Sequence, residues 1–165
     1  MGCCITKDTK PDSPQDFNNS GPLHFDDALR IEGPSAPLYD KLQYTIQAFV
    51  TSVYDGDTFT AAVKHNNSIV REKCRINGID TPEMKPPKDQ PNREDEKAKA
   101  REAKQIVEAA FLEKYIKLNV LGRDKYGRLL VKVSCPDTGK DIGDILIEKG
   151  LAYHYDGGTK QKFSS

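Results

Sequence analysis

Residues 44–63 have the sequence YTIQAFVTSVYDGDTFTAAV, and this stretch contains the first strand pattern of the chain. Apolar residues alternate with polar ones over 44–50 and again over 59–63, which is the period-2 pattern of half-buried β-strands. Val53 breaks the alternation of the first strand and predicts a bulge or bend there. The polar sequence Asp55–Thr58 between the two runs is typical of a turn. These residues therefore predict two neighbouring strands joined by an acidic loop.

The rest of the chain adds three strands and two helices. Further strand patterns occupy residues 69–76, 116–121 and 129–133. An apolar stripe at helical spacing predicts a helix from residue 94 to about 115, and a second helix is expected from the capping residue Asp141 to Gly150. A helix between the third and fourth of five short strands favours a small OB-type barrel. The expected class is mainly β with helices (α+β), a five-stranded OB-type barrel packed with two to three helices.

A change of composition near residue 40 divides the chain. Residues 1–40 are rich in Pro, Asn, Ser and Gly, and we interpret them as an N-terminal motif followed by a flexible tether. The folded domain is expected over 41–165. The chain has 25 basic and 25 acidic residues, and the balance is −4 over the first part and +4 over the second. The neutral total therefore does not exclude a nucleic-acid partner.

Several protein classes do not fit the composition. No apolar run approaches the ~18 residues of a membrane-spanning helix, and no apolar stretch at the start has the length of a signal peptide. We therefore expect an intracellular protein that is not secreted by a signal peptide. The four cysteines lie at positions 3, 4, 74 and 135. This spacing predicts neither a zinc site nor a disulfide framework, and Cys74 is expected in the core.

Three short motifs combine acidic and basic residues at strand ends. They are Asp55–Thr58, then Arg75 followed by Asp80-Thr81-Pro82-Glu83, and Asp124-Lys125-Tyr126-Gly127-Arg128. Carboxylates from two loops would supply the oxygen ligands that a hard cation such as calcium prefers. Arginine side chains bind phosphate oxygens in bidentate fashion. The set predicts a pocket for a phosphodiester.

Each motif alone is typical of a polar turn, but the three in this order on a five-strand pattern are specific. Over about residues 44–155 the chain resembles the staphylococcal nuclease (thermonuclease) family of calcium-dependent phosphodiesterases. The charged stretch 84–97 is a departure from the resemblance. The family implies hydrolysis of DNA and RNA at the 5′ oxygen–phosphorus bond, which leaves 3′-phosphates.

The resemblance implies a role for each matching residue. The calcium ligands fall on Asp57, Asp80 and the backbone carbonyl of Thr81, and Asp55 supports the site through water. Glu83 falls on the position assigned as general base. The remaining matches are Arg75 and Arg128 as phosphate-binding arginines, and Lys125 and Tyr126 at the nucleotide.

Two tyrosines after the second helix are further candidates for substrate binding. Tyr153 and Tyr155 could stack on bases, because stacking on aromatic side chains stabilises single-stranded nucleic acids. Ordinary packing of these aromatics is the alternative.

The N-terminus carries a lipidation signal. Gly2 and Thr6 fit the myristoylation pattern, and Cys3 and Cys4 are adjacent candidate palmitoylation sites. Two acyl chains give stable membrane attachment, whereas one gives only weak binding. The hypothesis is therefore a chain anchored by lipids on the cytoplasmic face of a membrane. The alternative is a chance start sequence with two free thiols.

The sequence thus predicts a monomeric, calcium-dependent endonuclease acting on DNA and RNA, tethered to a membrane through N-terminal acyl chains. Two other functions stay open. One is a catalytically silent OB-fold module that binds nucleic acid or protein, although such a module would be expected to lose Glu83 or the arginines. The other is a membrane-recruited adaptor whose barrel only docks a partner.

Overall fold

The computed structural model describes residues 43–158 and residue 163. The predicted tether, the boundary near residue 40 and the lipidation residues Gly2, Cys3 and Cys4 lie outside the described residues. Those hypotheses stay predictions.

Five strands form a closed barrel, which confirms the predicted OB-type α+β fold. The barrel strands are β1 (Tyr44–Val53), β2 (Thr58–His65), β3 (Ser68–Ile76), β5 (Tyr115–Arg123) and β6 (Leu129–Lys132). Their order around the barrel is β1-β2-β3-β6-β5, closed by pairing of β5 with β1. Only β3 and β6 are parallel. Closure leaves no long open strand edge in the barrel.

The register of the strands follows the apolar alternation. Val50, Phe59, Ala61 and Cys74 all point into the barrel and are completely buried. The pairing of β1 with β2 shifts between Val50 and Ser52, which confirms the predicted irregularity, slightly earlier than Val53. Because side chains alternate with period 2, the shift changes which residues face the core beyond it.

Within the described residues, two helices pack with the barrel. Helix α1 covers Arg93–Phe111, and it ends about four residues earlier than expected. Leu112 has an extended backbone and Glu113 a φ of 57°, so the helix cannot continue into β5. Phe111 contacts Phe59 in the barrel, with ring centroids 6.1 Å apart. This contact fixes the C-terminal end of α1 against the core.

Helix α2 covers Ile142–Glu148 and has the predicted caps. The Asp141 carboxylate accepts a hydrogen bond from the Gly143 amide at 2.8 Å. Gly150 ends the helix with a φ of 69°, a left-handed conformation that favours glycine. Its amide donates to the carbonyl of Ile147.

A small second sheet was missed by the sequence analysis. Strand β4 (Ile79–Asp80) pairs antiparallel with β7 (Tyr153–His154). Each strand has only two residues, too few to show the alternation of apolar and polar residues that predicts a strand. This pairing brings the segment after α2 beside the second acidic motif. Among the described residues, no helix combines the length and apolar character needed to span a bilayer.

Candidate functional site

Arg75 joins the first two acidic motifs. Its guanidinium lies 2.6 Å from the Asp57 carboxylate and 2.9 Å from the Asp80 carboxylate. The same guanidinium donates to the backbone carbonyl of Ile79 at 3.1 Å. The Arg75 side chain is only 13% exposed, so these interactions are shielded from water. Residue 75 thus fixes both acidic loops to the end of β3.

The first acidic loop is held by its own backbone. The Asp55 carboxylate accepts hydrogen bonds from the amides of Asp57 and Thr58, at 3.1 Å and 2.7 Å. This side-chain turn is typical of aspartate at the start of a loop. The Thr58 hydroxyl donates to Asp57 at 2.8 Å and accepts from Arg128 at 3.2 Å. Thr58 therefore connects the acidic and basic parts of the site.

Gly56 makes this loop fit against the rest of the molecule. A Cβ atom at this position would lie 2.7 Å from the Cβ of Ala103 and 2.9 Å from the Cγ2 of Thr81. Both distances are shorter than real Cβ contacts, so any larger residue would push the loop away from α1 and from Thr81. The glycine thus lets both acidic loops and the helix meet.

The third motif positions Arg128. Asp124 accepts from the Arg128 Nε at 2.7 Å and from the Arg128 amide at 2.9 Å. Gly127 has a φ of 81° and closes the turn between β5 and β6. Tyr126 is 72% exposed, and both Lys125 and Arg128 approach its ring, at 5.1 Å and 5.6 Å from the centroid. The motif presents two cations and one aromatic ring to solvent.

A buried glutamate holds the segment that carries Glu83. Glu96, on the first turn of α1, is 6% exposed and accepts a hydrogen bond from the Glu83 amide at 3.1 Å. Its other carboxylate oxygen accepts from the Gln90 side chain. The Glu83 side chain itself is exposed. Glu96 therefore fixes the backbone of Glu83 while the Glu83 carboxylate faces the solvent.

The two tyrosines after α2 occupy different environments. The Tyr153 hydroxyl donates to Asp80 at 2.7 Å, and its ring packs on Phe163 with centroids 4.9 Å apart. Tyr155 lies under the Arg75 guanidinium, with the Cζ atom 5.9 Å from the ring centroid. Tyr153 is thus held by a hydrogen bond and by packing, and Tyr155 by a cation–π contact.

The carboxylates of the site destabilise one another. Burial raises the pKa of Asp57 to about 7, and repulsion from Asp55 adds to the shift although the Arg75 cation opposes it. Burial also raises the pKa of Asp55, against hydrogen bonds from the amides of Asp57 and Thr58. Repulsion from Glu83 contributes to the Asp55 shift. The site therefore concentrates negative charge that the arginine does not fully compensate.

All three motifs line one open groove of about 1630 Å³. The sequence-predicted residues that it collects are Asp55, Asp57, Arg75, Asp80, Thr81, Glu83, Lys125, Tyr126, Arg128 and Tyr155. Tyr153 supports the groove through Asp80 but does not line it. The lining also includes Tyr54 and Lys73.

Comparison with known proteins agrees with this geometry. A family model described as "Staphylococcal nuclease homologue" matches residues 73–164, which is more than half of the chain. The chain belongs to this family. It is also 34% identical over 92 residues to a protein of Arabidopsis thaliana named staphylococcal-like nuclease CAN1. The aligned region is 54% of this chain but 24% of that relative, so the similarity spans about a quarter of the relative's length.

The staphylococcal nuclease homologue match begins inside β3. It includes Arg75, the second acidic motif and the third motif, but not Asp55 or Asp57. The contacts of Arg75 with Asp57 connect the unmatched first motif to the matched part. The placement of Asp57 in the site therefore rests on the structure.

Some site residues were missed by the sequence analysis. Glu96 received no role in the sequence analysis, although it holds the amide of Glu83. Thr58 and Asp124 were part of the motifs but received no role, although they position Asp57 and Arg128. A buried acid on an otherwise apolar helix face is the one signal that could have identified Glu96.

The residues present fit a hard cation in their chemistry. Asp57 and Asp80 present carboxylate oxygens within reach of the same guanidinium, and Thr81 is buried beside them. Oxygen donors of this kind are preferred by calcium. Within residues 43–158, no group of three or more His, Cys, Asp or Glu side chains is arranged to hold a metal ion. A cation held here would need oxygen ligands in addition to these two carboxylates.

We expect Asp57→Asn to stabilise the metal-free protein more at pH 8 than at pH 5. The folded state binds the Asp57 proton with a pKa of about 7, whereas the unfolded chain binds it at about 4. Raising the pH between these values therefore costs stability, and the variant lacks this cost. In chelator, the melting temperature of the variant relative to wild type should increase by roughly 4 °C or more between pH 5 and pH 8.

Asp124→Asn is the matched control. Burial opposes ionisation of Asp124, but hydrogen bonds from the Arg128 side chain and amide outweigh it and lower its pKa. Its stabilisation is lost only below the ordinary aspartate pKa, so this variant should be destabilised by a similar amount at pH 5 and pH 8. An Asp57→Asn effect that is independent of pH would contradict the prediction.

Proposed function

We propose that this chain is a calcium-dependent nuclease that cleaves DNA and RNA at the 5′ oxygen–phosphorus bond and leaves 3′-phosphates, acting as a monomer. The observation that carries the proposal is the convergence of two arginines, an exposed glutamate and two buried aspartates in one groove. The presence of Glu83, Arg75 and Arg128 together favours catalysis over a silent binding module.

The two arginines would both bind the scissile phosphate in the groove. Asp124 accepts a hydrogen bond from the Nε of Arg128 and Thr58 accepts one from its Nη1, and these two contacts orient the guanidinium. A guanidinium that is already in position when the reaction begins stabilises the negative charge that develops on the phosphoryl oxygens. Arg75 is held by two carboxylates, so a bound phosphate would have to share its donors with them.

Glu83 would act as the general base. Its carboxylate is exposed in the groove, close enough to Asp55 for the two charges to repel. It would accept a proton from the attacking water, a role that contributes about 10²–10⁴-fold to the rate. Glu96 keeps the backbone of this residue fixed, and a fixed base loses less entropy in reaching the reactive geometry.

The calcium proposal assigns Asp57, Asp80 and the carbonyl of Thr81 as ligands, with Asp55 acting through water. Calcium bound there supplies polarisation of a phosphoryl oxygen. The support in this chain is the excess negative charge around Asp57, which a divalent cation would relieve. Tyr153 keeps Asp80 oriented through its hydroxyl group.

Calcium should raise the melting temperature of the wild-type protein at pH 8, because ligand binding to the folded state stabilises it. Asp57→Asn should reduce this gain strongly, since it removes one proposed ligand charge. Asp144→Asn, on the surface of α2, is the control and should retain the full gain. Thermal unfolding at several calcium concentrations measures the effect. Equal gains for wild type and Asp57→Asn would contradict this ligand assignment.

Wild-type protein should cleave a single-stranded oligonucleotide in millimolar calcium and not in chelator. Glu83→Gln should lower kcat by about 10²–10⁴-fold. Arg128→Lys, which keeps the charge but loses the bidentate fork, should lower kcat by roughly 10²-fold. The 3′ or 5′ position of the phosphate on the products tests which bond is broken.

Glu102→Gln is the matched control for the loss of a glutamate charge, since Glu102 is exposed on α1 and does not line the groove. Its kcat should equal that of wild type. Binding of oligonucleotide without any cleavage would favour the silent module instead. Full activity of Glu83→Gln would exclude Glu83 as the base.

We also propose that the chain is tethered to the cytoplasmic face of a membrane by acyl groups on Gly2, Cys3 and Cys4. The support is the sequence MGCCIT, in which a myristoylation pattern and two adjacent cysteines coincide. Together these modifications would give the two chains that stable attachment requires.

In eukaryotic cells, the wild-type protein should carry a myristoyl group by intact mass and sediment with membranes. Gly2→Ala should lack the group and move to the soluble fraction. Cys3→Ser with Cys4→Ser should keep the myristoyl group and bind membranes only weakly, because one chain is insufficient. An unmodified wild-type mass would contradict the tether.

A further inference from the structure

One outer face of the barrel continues from the groove toward the opposite end of β3. Side chains directly opposite each other on paired strands share a face. The pairs Thr58 with Arg75, Thr60 with Lys73 and Ala62 with Arg71 therefore form three successive rows on the outside of β2 and β3. Lys73 and Thr60 also line the groove, so the face and the groove are continuous. We call the outward positions beyond Arg75 the distal face, defined by Lys73, Arg71, Phe49 and Tyr115.

The distal face carries unbalanced positive charge. Arg75, Arg123 and Arg128 each contact a carboxylate. By contrast, the exposed Arg71 and Lys73 form no ion pair within the described part of the chain. Within β2 and β3, no acidic residue occupies an outward position, because Glu72 lies on the other side of β3 and binds Arg123. The outward residues of these strands would therefore attract a polyanion.

Two aromatic side chains lie at one end of the same face. Phe49 is opposite Ala62 on one side and opposite Tyr115 on the other, so Tyr115, Phe49, Ala62 and Arg71 form one row across four strands. The rings of Phe49 and Tyr115 are 5.0 Å apart at the centroids. Tyr115 is 81% exposed, the largest exposure among the exposed large hydrophobic residues of the described chain. Tyr115 is three strands away from Arg71 in this row, about 14 Å at the Cα atoms. A single strand that crosses the row can place its phosphates on the basic residues and a base on the exposed ring.

We infer that the distal face binds the part of a single-stranded nucleic acid that extends beyond the cleaved phosphate. Arg71, Lys73 and Arg75 occupy alternate positions on β3, so their Cα atoms span about 13 Å. This equals about four nucleotides of a stacked strand. Lys73 and Arg71 contact phosphates about two nucleotides apart, and Tyr115 stacks on a base at the far end. The inference rests on the proposed nuclease function and extends the substrate-binding surface of that site along β3.

The family match covers the distal face only in part. The matched segment begins at Lys73, so Phe49 and Arg71 precede it, whereas Lys73 and Tyr115 lie within it.

Fluorescence anisotropy with the full-length protein tests the inference. The probes are labelled dT12, U12 and dT2 in chelator, with gel analysis to verify that they stay intact. Arg71→Gln combined with Lys73→Gln should weaken binding of dT12 and U12 by about tenfold, and binding of dT2 by less than about twofold. The slope of log K against log salt for dT12 should fall by about 1.4, since each lost phosphate contact contributes about 0.7.

The matched control is Arg101→Gln combined with Lys149→Gln. It also removes one arginine and one lysine charge, but from exposed positions on α1 and after α2. It should bind dT12 like wild type. Tyr115→Ala should weaken dT12 binding about fivefold, and Tyr115→Phe should restore it, because stacking needs only the ring. Unchanged melting temperatures show that the folded state is intact.

The outcomes separate this inference from the nuclease proposal. If the charge variants weaken dT12 binding while wild-type protein in calcium cuts nothing, the distal face is supported and the nuclease proposal fails. If wild type cuts dT12 but the charge variants bind it normally, the distal face is wrong and the nuclease proposal stands. Equal losses in the control pair would also overturn the inference.

Discussion

The Arg75 guanidinium, placed between the carboxylates of Asp57 and Asp80, is the constraint on which the rest of the site depends. These two aspartates come from loops more than twenty residues apart, and like charges brought together out of water repel. A buried cation between them makes the arrangement tolerable, and the planar guanidinium can reach both loops at once. Removing it would leave two buried carboxylates without their cation, so the site and the local fold would fail together.

Close packing around Gly56 makes the two acidic loops joined by this electrostatic contact rigid. The glycine touches Thr81 of the second loop and Ala103 of α1 more closely than any other residue could. The same helix supplies Glu96, which holds the amide of Glu83. One helix therefore supports the first loop by close contact and the second loop by a hydrogen bond. This explains how a residue as exposed as Glu83 can still have a fixed backbone position.

The raised pKa of Asp57 indicates that the site is organised at a cost to stability. Burial of the carboxylate is unfavourable in the folded protein, and the nearby Asp55 adds repulsion. Functional sites commonly keep such unfavourable arrangements because a bound ligand relieves them. On the proposed function, a cation would relieve the charge at Asp57, and a polyanionic strand would neutralise the basic residues along β3.

The strands, the helices and the three motifs could be predicted from the sequence, because the period-2 alternation and the helix caps are local properties of neighbouring residues. The prediction placed the end of α1 too late, since the left-handed conformation of Glu113 has no clear local signal. Only the tertiary structure decided that Glu96 supports Glu83, that Tyr153 binds Asp80 through a two-residue strand pair, and that Phe49 and Arg71 share one surface. Those contacts join residues distant along the chain, so they depend on barrel closure and strand register, which no single segment encodes.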